Sequence, residues 1–172
     1  KLYAWTDSSR QEWLDDNSNP FRRIPVQVWY PMEKGTHQLQ SFYLDYPKDY
    51  IHVISKDFGI PGKLLVNVAN IRTSAVFNGH PNQELRKSPV IIFSHGLGGY
   101  KTQNSINIEE LVSNGFIVLA PDHTYDASIT VFDDGEIYKF KSGLPVHELK
   151  DNVVTEEIFW ETRLPQINTR AG

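Results

Sequence analysis

The 172-residue sequence contains no cysteine, which removes disulfides, zinc-thiolate sites and a thiol nucleophile while leaving the compartment open. Long apolar runs are missing too. The longest, residues 116–120 and 90–93, fall far short of the roughly 18 residues that a membrane-spanning helix requires. No block of lysine or arginine stands out, and the formal net charge of -4 argues against the basic face that nucleic-acid binding needs. The chain starts at Lys1 without an initiator methionine or a signal-peptide pattern, so removed or excised residues upstream are expected.

What is present is globular material. A hydrophobic content of 40% and an aromatic content of 12% suffice for a core of single-domain size, and no repeat or low-complexity tract interrupts it. Residues 24–30 (IPVQVWY) are β-branched and aromatic, stop at Pro31 and predict a strand. Apolar residues at Ile54, Phe58, Leu64, Leu65 and Val68 predict helical pieces across 51–68, interrupted around Gly59, Pro61 and Gly62. Residues 78–89 predict a loop, with NGHPNQ as its turn signal.

The pattern then becomes regular. Residues 90–93 predict a strand buried on both faces, 103–114 a helix with Ile108, Leu111 and Val112 inward, and 116–120 a second buried strand. Gly115 fits the left-handed residue that ends such a helix, and continuous apolar strands predict a parallel sheet covered on both sides. Residues 131–140 predict a hairpin on Asp134-Gly135, and 147–163 a helix with Leu149, Val153 and Trp160 on its core-facing stripe.

Between the two apolar strands lies FSHGLGGYKT, with glycines at 96, 98 and 99. In a parallel α/β sheet, ligands sit outside the carboxyl ends of the strands, and glycines there leave backbone N–H groups free to face an anion. A phosphate cradle requires GxxxxGK[ST] or GxGxxG, and neither occurs; Lys101 is out of register. The other anion is the oxyanion of acyl transfer, stabilised by a backbone N–H of such a loop. A plain strand-to-helix turn is the structural alternative. Asp122, His123 and Asp126 cluster after the second strand, but their spacing matches no structural zinc pattern, and loop hydrogen bonding is the simpler role. Asp133, Asp134 and Glu136 lack the spaced ligands of a calcium loop and read as a solvated turn, while His37, His52, His80 and His147 read as surface residues.

Taken together, SHGLGGYKTQNS and ELVSNGFIVLAPDHTYDAS, with WTDSSRQEW and IPVQVWYP before them, resemble the plasma-type platelet-activating factor acetylhydrolase family. SKDFGIPGKLL and the stretch from ITVFDDGEIYKF to TEEIFWETR resemble it more loosely. The resemblance implies the amino-terminal half of an α/β-hydrolase fold across 1–172, with a mostly parallel sheet flanked by helices. It implies hydrolysis of short acyl esters of phospholipids or related carboxylic esters through an acyl-enzyme, without metal or cofactor, by a Ser-His-Asp triad.

By the same resemblance, the backbone N–H of Leu97 enters the oxyanion hole, and His95, Gly96, Gly98, Phe58 and Leu64 shape or line the substrate site. Phe58, Ile60, Leu64 and Leu65 fall near the active-site mouth, where contact with a lipid surface and packing onto the sheet are both open. None of the twelve serines lies in Gly-x-Ser-x-Gly; Ser94 and Ser113 have only the second glycine. The implied nucleophile, acid and histidine are therefore expected beyond Gly172, and the chain is expected to depend on that remainder or on self-association. The resemblance further implies a secreted or extracytoplasmic enzyme. A non-catalytic α/β module binding a ligand or partner through the same loop, and a nucleotide-binding domain, are the competing readings.

Overall fold

The computed structural model describes residues 1–12, 21–33 and 40–141. The helix expected at 147–163 lies outside them. In chain order the elements are β1 (Leu2–Gln11), β2 (Phe21–Trp29), β3 (Gln40–Phe42), α1 (Pro47–Phe58), α2 (Gly62–Leu65), β4 (Arg72–Val76), β5 (Val90–Ile92), α3 (Ser105–Ser113), β6 (Ile117–Pro121), β7 (Ile129–Val131) and β8 (Ile137–Lys139). Short 3-10 turns follow α2 and precede β5. Among the described residues no helix is long and apolar enough to cross a membrane.

The main sheet has the order β1-β2-β6-β5. β1 and β2 run antiparallel, as do β2 and β6, and β5 alone is parallel to its neighbour β6. The described sheet is thus mixed, where a mostly parallel one was expected, because the regular β5-α3-β6 crossover covers only one of its three pairings. Gly115 ends α3 at φ +92°, a backbone region open to glycine at little steric cost, and turns the chain into β6. β7 and β8 form the hairpin around Asp134-Gly135.

Two apolar clusters hold these layers. Trp29, Ile108, Val118 and Ala120 are buried between the sheet and α3, with Phe93 packed against them. Leu44, Tyr50, Val53, Ile129 and Val131 are buried between α1 and the hairpin, with Tyr100 packed against them. Each large side chain so buried is worth about 1.5–3 kcal/mol of transfer free energy. The glycine loop runs from Phe93 to Tyr100 and is therefore tied to one core at each end. α1 opens on Pro47, whose fixed φ suits a first helical turn.

The expectation that 90–93 is buried on both faces does not hold in this chain. Val90 is 57% and Ile92 71% exposed. Among the described residues β5 is the edge of the sheet, so an apolar sequence suited to a central strand has a described neighbour on one side only.

Candidate functional site

The carboxyl ends of β5 and β6 lead into two loops, residues 93–104 and 122–128, that are laced together. The amide of Gly98 donates to the Asp126 carbonyl (2.8 Å) and that of Ser128 to the Gly99 carbonyl (3.0 Å). The Ser128 hydroxyl donates to the Gly98 carbonyl, and the Lys101 amide donates to Asp122 Oδ1 at 2.6 Å. Gly98 sits at φ +73° with open space around it, so its conformation, not a close neighbour, requires glycine.

Beneath the loop lies a buried charge cluster. Lys101 Nζ, wholly enclosed, is 2.8 Å from Asp122 Oδ2, 3.1 Å from Asp45 Oδ2 and 2.9 Å from the Tyr50 hydroxyl. Burial alone lowers the Lys101 pKa, but Asp122 and Asp45 outweigh it and hold the ammonium well above its ordinary value. Burial pushes the Tyr50 hydroxyl in the same direction. A buried lysine so paired is a fixed anchor, not a proton shuttle.

His95 is buried, and both of its ring nitrogens are engaged. Nε2 accepts the His123 backbone N–H at 3.0 Å, which places the ring proton on Nδ1, where it is donated to the Gly96 carbonyl at 2.8 Å. That carbonyl also accepts the Gly99 N–H at 2.8 Å. The peptide between Gly96 and Leu97 is planar and trans, so its N–H points opposite to its C=O. Two donors therefore fix the carbonyl inward, and the Leu97 N–H is aimed away from the loop's own hydrogen bonds. It meets no acceptor among the described residues.

Ser94 Oγ lies 2.6 Å from His123 Nε2. The pair has the outline of a nucleophile and its base, but burial, then His95 and Arg22, lower the His123 pKa to about 4. So weak a base removes little proton from a hydroxyl at neutral pH. Asp122, His123 and Asp126 thus serve as loop fasteners. Among the described residues no group of three or more His, Asp or Glu side chains is placed to hold a metal ion.

A cleft of about 520 Å³ opens beside the loop, between the last turns of α1 and the end of β8. Leu97, Gly98 and Phe58 line it, so three of the residues named from the sequence meet at one site. His95 and Gly96 are not among its walls, and His95 acts from behind through the Gly96 carbonyl. Leu64 is exposed and also stands outside it. The sequence reading missed Val53, Lys56, Ser128, Lys139 and Phe140, and it treated His52 as a plain surface residue. Neither these nor Lys101 carry a local motif: the first group converges from three separate elements, and a buried lysine runs against residue-type expectation. An unpartnered N–H beside an apolar-walled cleft is able to receive a carbonyl oxygen or an anion.

The sequence model of the family described as platelet-activating factor acetylhydrolase, isoform II, matches residues 12–171. The platelet-activating factor acetylhydrolase of Canis lupus familiaris is 37% identical over 102 residues, covering 57% of this chain and 22% of that protein. That of Bos taurus is 36% identical over the same length, with the same coverage. Among solved structures, a ferulic acid esterase from Streptomyces cinnamoneus superposes with a TM-score of 0.62 at 28% identity, over 80% of this chain and 36% of that one. The aligned part of the chain thus spans about a fifth of the curated relatives' length, and the fold is that of an α/β-hydrolase. With the match running across nearly all 172 residues, the chain belongs to the platelet-activating factor acetylhydrolase family.

Proposed function

We propose that this chain supplies the oxyanion-hole side of a serine ester hydrolase acting on short acyl esters of phospholipids or related carboxylic esters. The observation that carries the reading is the Leu97 N–H, which meets no acceptor among the described residues and belongs to a residue that lines the cleft, while the carbonyl of its own peptide is held by His95 and Gly99. A donor fixed before the reaction stabilises the negative charge that develops on the ester carbonyl oxygen, and one such donor is worth roughly 10²–10³ in rate. Leu97 acts through its backbone. His95 is a positioning residue, and Phe58 and Gly98 form walls of the acyl or alcohol site.

The nucleophile, its acid and its histidine come from residues that follow this chain in the complete enzyme, and they reach the site by pairing a further strand along the bare edge of β5. The exposed Val90 and Ile92 and the family match over a fifth of its relatives' length support this. Phe58 and Leu64, both exposed, are positioned for contact with a lipid surface around the cleft. The complete protein is expected to release acetate from a short acyl ester and to be labelled once per chain by a fluorophosphonate. The 172 residues alone are expected to do neither. Stoichiometric labelling of Ser94 in the isolated chain would overturn the assignment.

A further inference from the structure

Tyr125, in the loop after β6, has a backbone that most side chains avoid. It sits at φ +71°, and apart from glycine only Asn78 among the described residues shares a positive φ. Asparagine tolerates that region through its short polar side chain, whereas a bulky aromatic pays a steric penalty there. Tyr125 is nonetheless buried, and its conformation is held from outside the loop. Its ring packs edge-on against Tyr138 of β8, with centroids 5.3 Å apart, and Lys141 Nζ lies 5.0 Å from the ring centre. The Tyr125 carbonyl accepts the Lys141 N–H at 2.9 Å. Tyr138 packs in turn on Phe132, and its hydroxyl donates to Glu136, which pairs with Arg23 of β2. The β7-β8 hairpin thus clamps one residue of the neighbouring loop in an unfavourable conformation.

That conformation reaches the glycine loop through one hydrogen bond. The turn through Tyr125 brings the N–H groups of Asp126 and Ala127 back onto the His123 carbonyl, both at 2.8 Å, and the Asp126 carbonyl accepts the Gly98 N–H at 2.8 Å. A peptide is planar, so holding the Gly98 N–H fixes the plane that follows Leu97. The plane that precedes Leu97 is fixed by His95 and Gly99 at the Gly96 carbonyl. Both peptides flanking Leu97 are therefore pinned, and its N–H keeps one direction. We propose that Tyr125 is a positioning residue for the ester-cleaving site: its strained backbone, clamped by the hairpin, aims the Asp126 carbonyl at Gly98 and so holds the Leu97 N–H in the direction the oxyanion requires. The proposal rests on the hydrolase reading and adds a residue that is not among the walls of the cleft.

The test separates conformation from packing by comparing Tyr125→Ala with Tyr125→Gly in the complete enzyme. Both delete the ring. If the ring mattered for packing alone, glycine, the more flexible residue, would do no better than alanine; if the positive φ matters, glycine adopts it freely and alanine does not. Tyr125→Ala should lose roughly tenfold in kcat on a short acyl ester with KM changed by less than about threefold, because a displaced donor weakens the transition state more than the bound ester. Tyr125→Gly should regain most of that kcat, and Tyr125→Phe, which keeps the ring, should stay within about threefold of wild type. Where Tyr125→Ala does not fold, Tyr138→Leu removes the clamp and leaves residue 125 in place. It should lower kcat likewise, and adding Tyr125→Gly to it should raise kcat again.

Hydrogen exchange at the Gly98 amide of the complete protein reads the same order without turnover. It should be roughly tenfold or more faster in Tyr125→Ala than in wild type, and slow again in Tyr125→Gly. Equal kcat in the alanine and glycine variants, a loss confined to KM, a Tyr125→Phe loss as deep as that of Tyr125→Ala, or Gly98 exchange that ignores the alanine-glycine order would overturn the proposal while leaving the hydrolase standing. If the wild-type enzyme turns over no ester, the hydrolase reading is what fails, and Gly98 exchange alone then decides whether Tyr125 sets the loop. The same order supports that role, and equal exchange in all three proteins sinks it.

Discussion

β5 and β6 are neighbouring parallel strands of nearly the same apolar composition, Val-Ile-Ile against Ile-Val-Leu-Ala, yet they live in different environments. β6 has a strand on each side and α3 across it, and Val118 and Ala120 are fully buried. Among the described residues β5 has β6 alone, and Ile92 is largely exposed. The loops that leave the two strands differ in the opposite sense: they are stitched to one another and fastened below by Lys101 and Asp122. Order at this site therefore comes from the loop side, while the outer edge of β5 is unpaired among the described residues.

The largest way to break that contrast is at the fastener. Lys101→Met removes the ammonium and leaves Asp122 buried without its counter-charge, which should cost about 3–5 kcal/mol. Chemical denaturation measures it. Ile92→Thr on the open edge should change the stability of the 172-residue chain by less than about 0.5 kcal/mol, because an exposed side chain has little packing to lose. On the proposed pairing of a further strand along β5, the same substitution in the complete protein should cost about 1 kcal/mol or more. A near-zero cost at Lys101 would show that the charge cluster does not hold the loops.

Acid tests the same fastening more gently. The His123 ring, pushed down to about 4 by burial and by its neighbours His95 and Arg22, stays neutral in the folded state where an unfolded histidine takes a proton near 6.5. Across that interval the unfolded chain binds the additional proton, so stability is level above about pH 6.5 and falls as pH drops toward 4. Between pH 7 and 5 the loss should be about 1–2 kcal/mol after allowing for solvent screening of the partly exposed ring. His123→Gln should flatten this part of the profile. An unchanged slope would place the acid sensitivity elsewhere.

How much of this was legible beforehand follows the range of each interaction. The β5-α3-β6 crossover, the stop at Gly115, the hairpin at Asp134-Gly135 and the broken helices around Gly59 are all local patterns, and each was readable from periodicity or turn residues. The antiparallel pairing of β2 with β6 joins residues about ninety positions apart, such as Val26 and Pro121, and no local signal announces it. The glycine loop was visible as a candidate site because backbone freedom is written in residue type. Its supports were not: that His95 turns a peptide through the Gly96 carbonyl, or that Lys139 and Lys56 face one cleft, depends on the finished packing.

Within the loop the three glycines separate conformation from contact, and the expected effects diminish in that order. At Gly99 an added Cβ would fall 2.9 Å from the Gly96 carbonyl oxygen, besides meeting the Gln103 side chain. Gly99→Ala must therefore push the carbonyl that sets the direction of the Leu97 N–H, and on the proposed oxyanion role of that N–H the complete enzyme should lose roughly tenfold or more in kcat. Gly98→Ala has room but demands a left-handed alanine at φ +73°, which costs about 1–2 kcal/mol of stability. Gly96 has neither a positive φ nor a neighbour within 4 Å, so Gly96→Ala should be nearly neutral in both readouts. Steady-state kinetics and denaturant melts on the three variants give the ranking. If Gly96→Ala proves as damaging to kcat as Gly99→Ala, the approach of substrate to Gly96 itself, and not the orientation of the next peptide, governs the site.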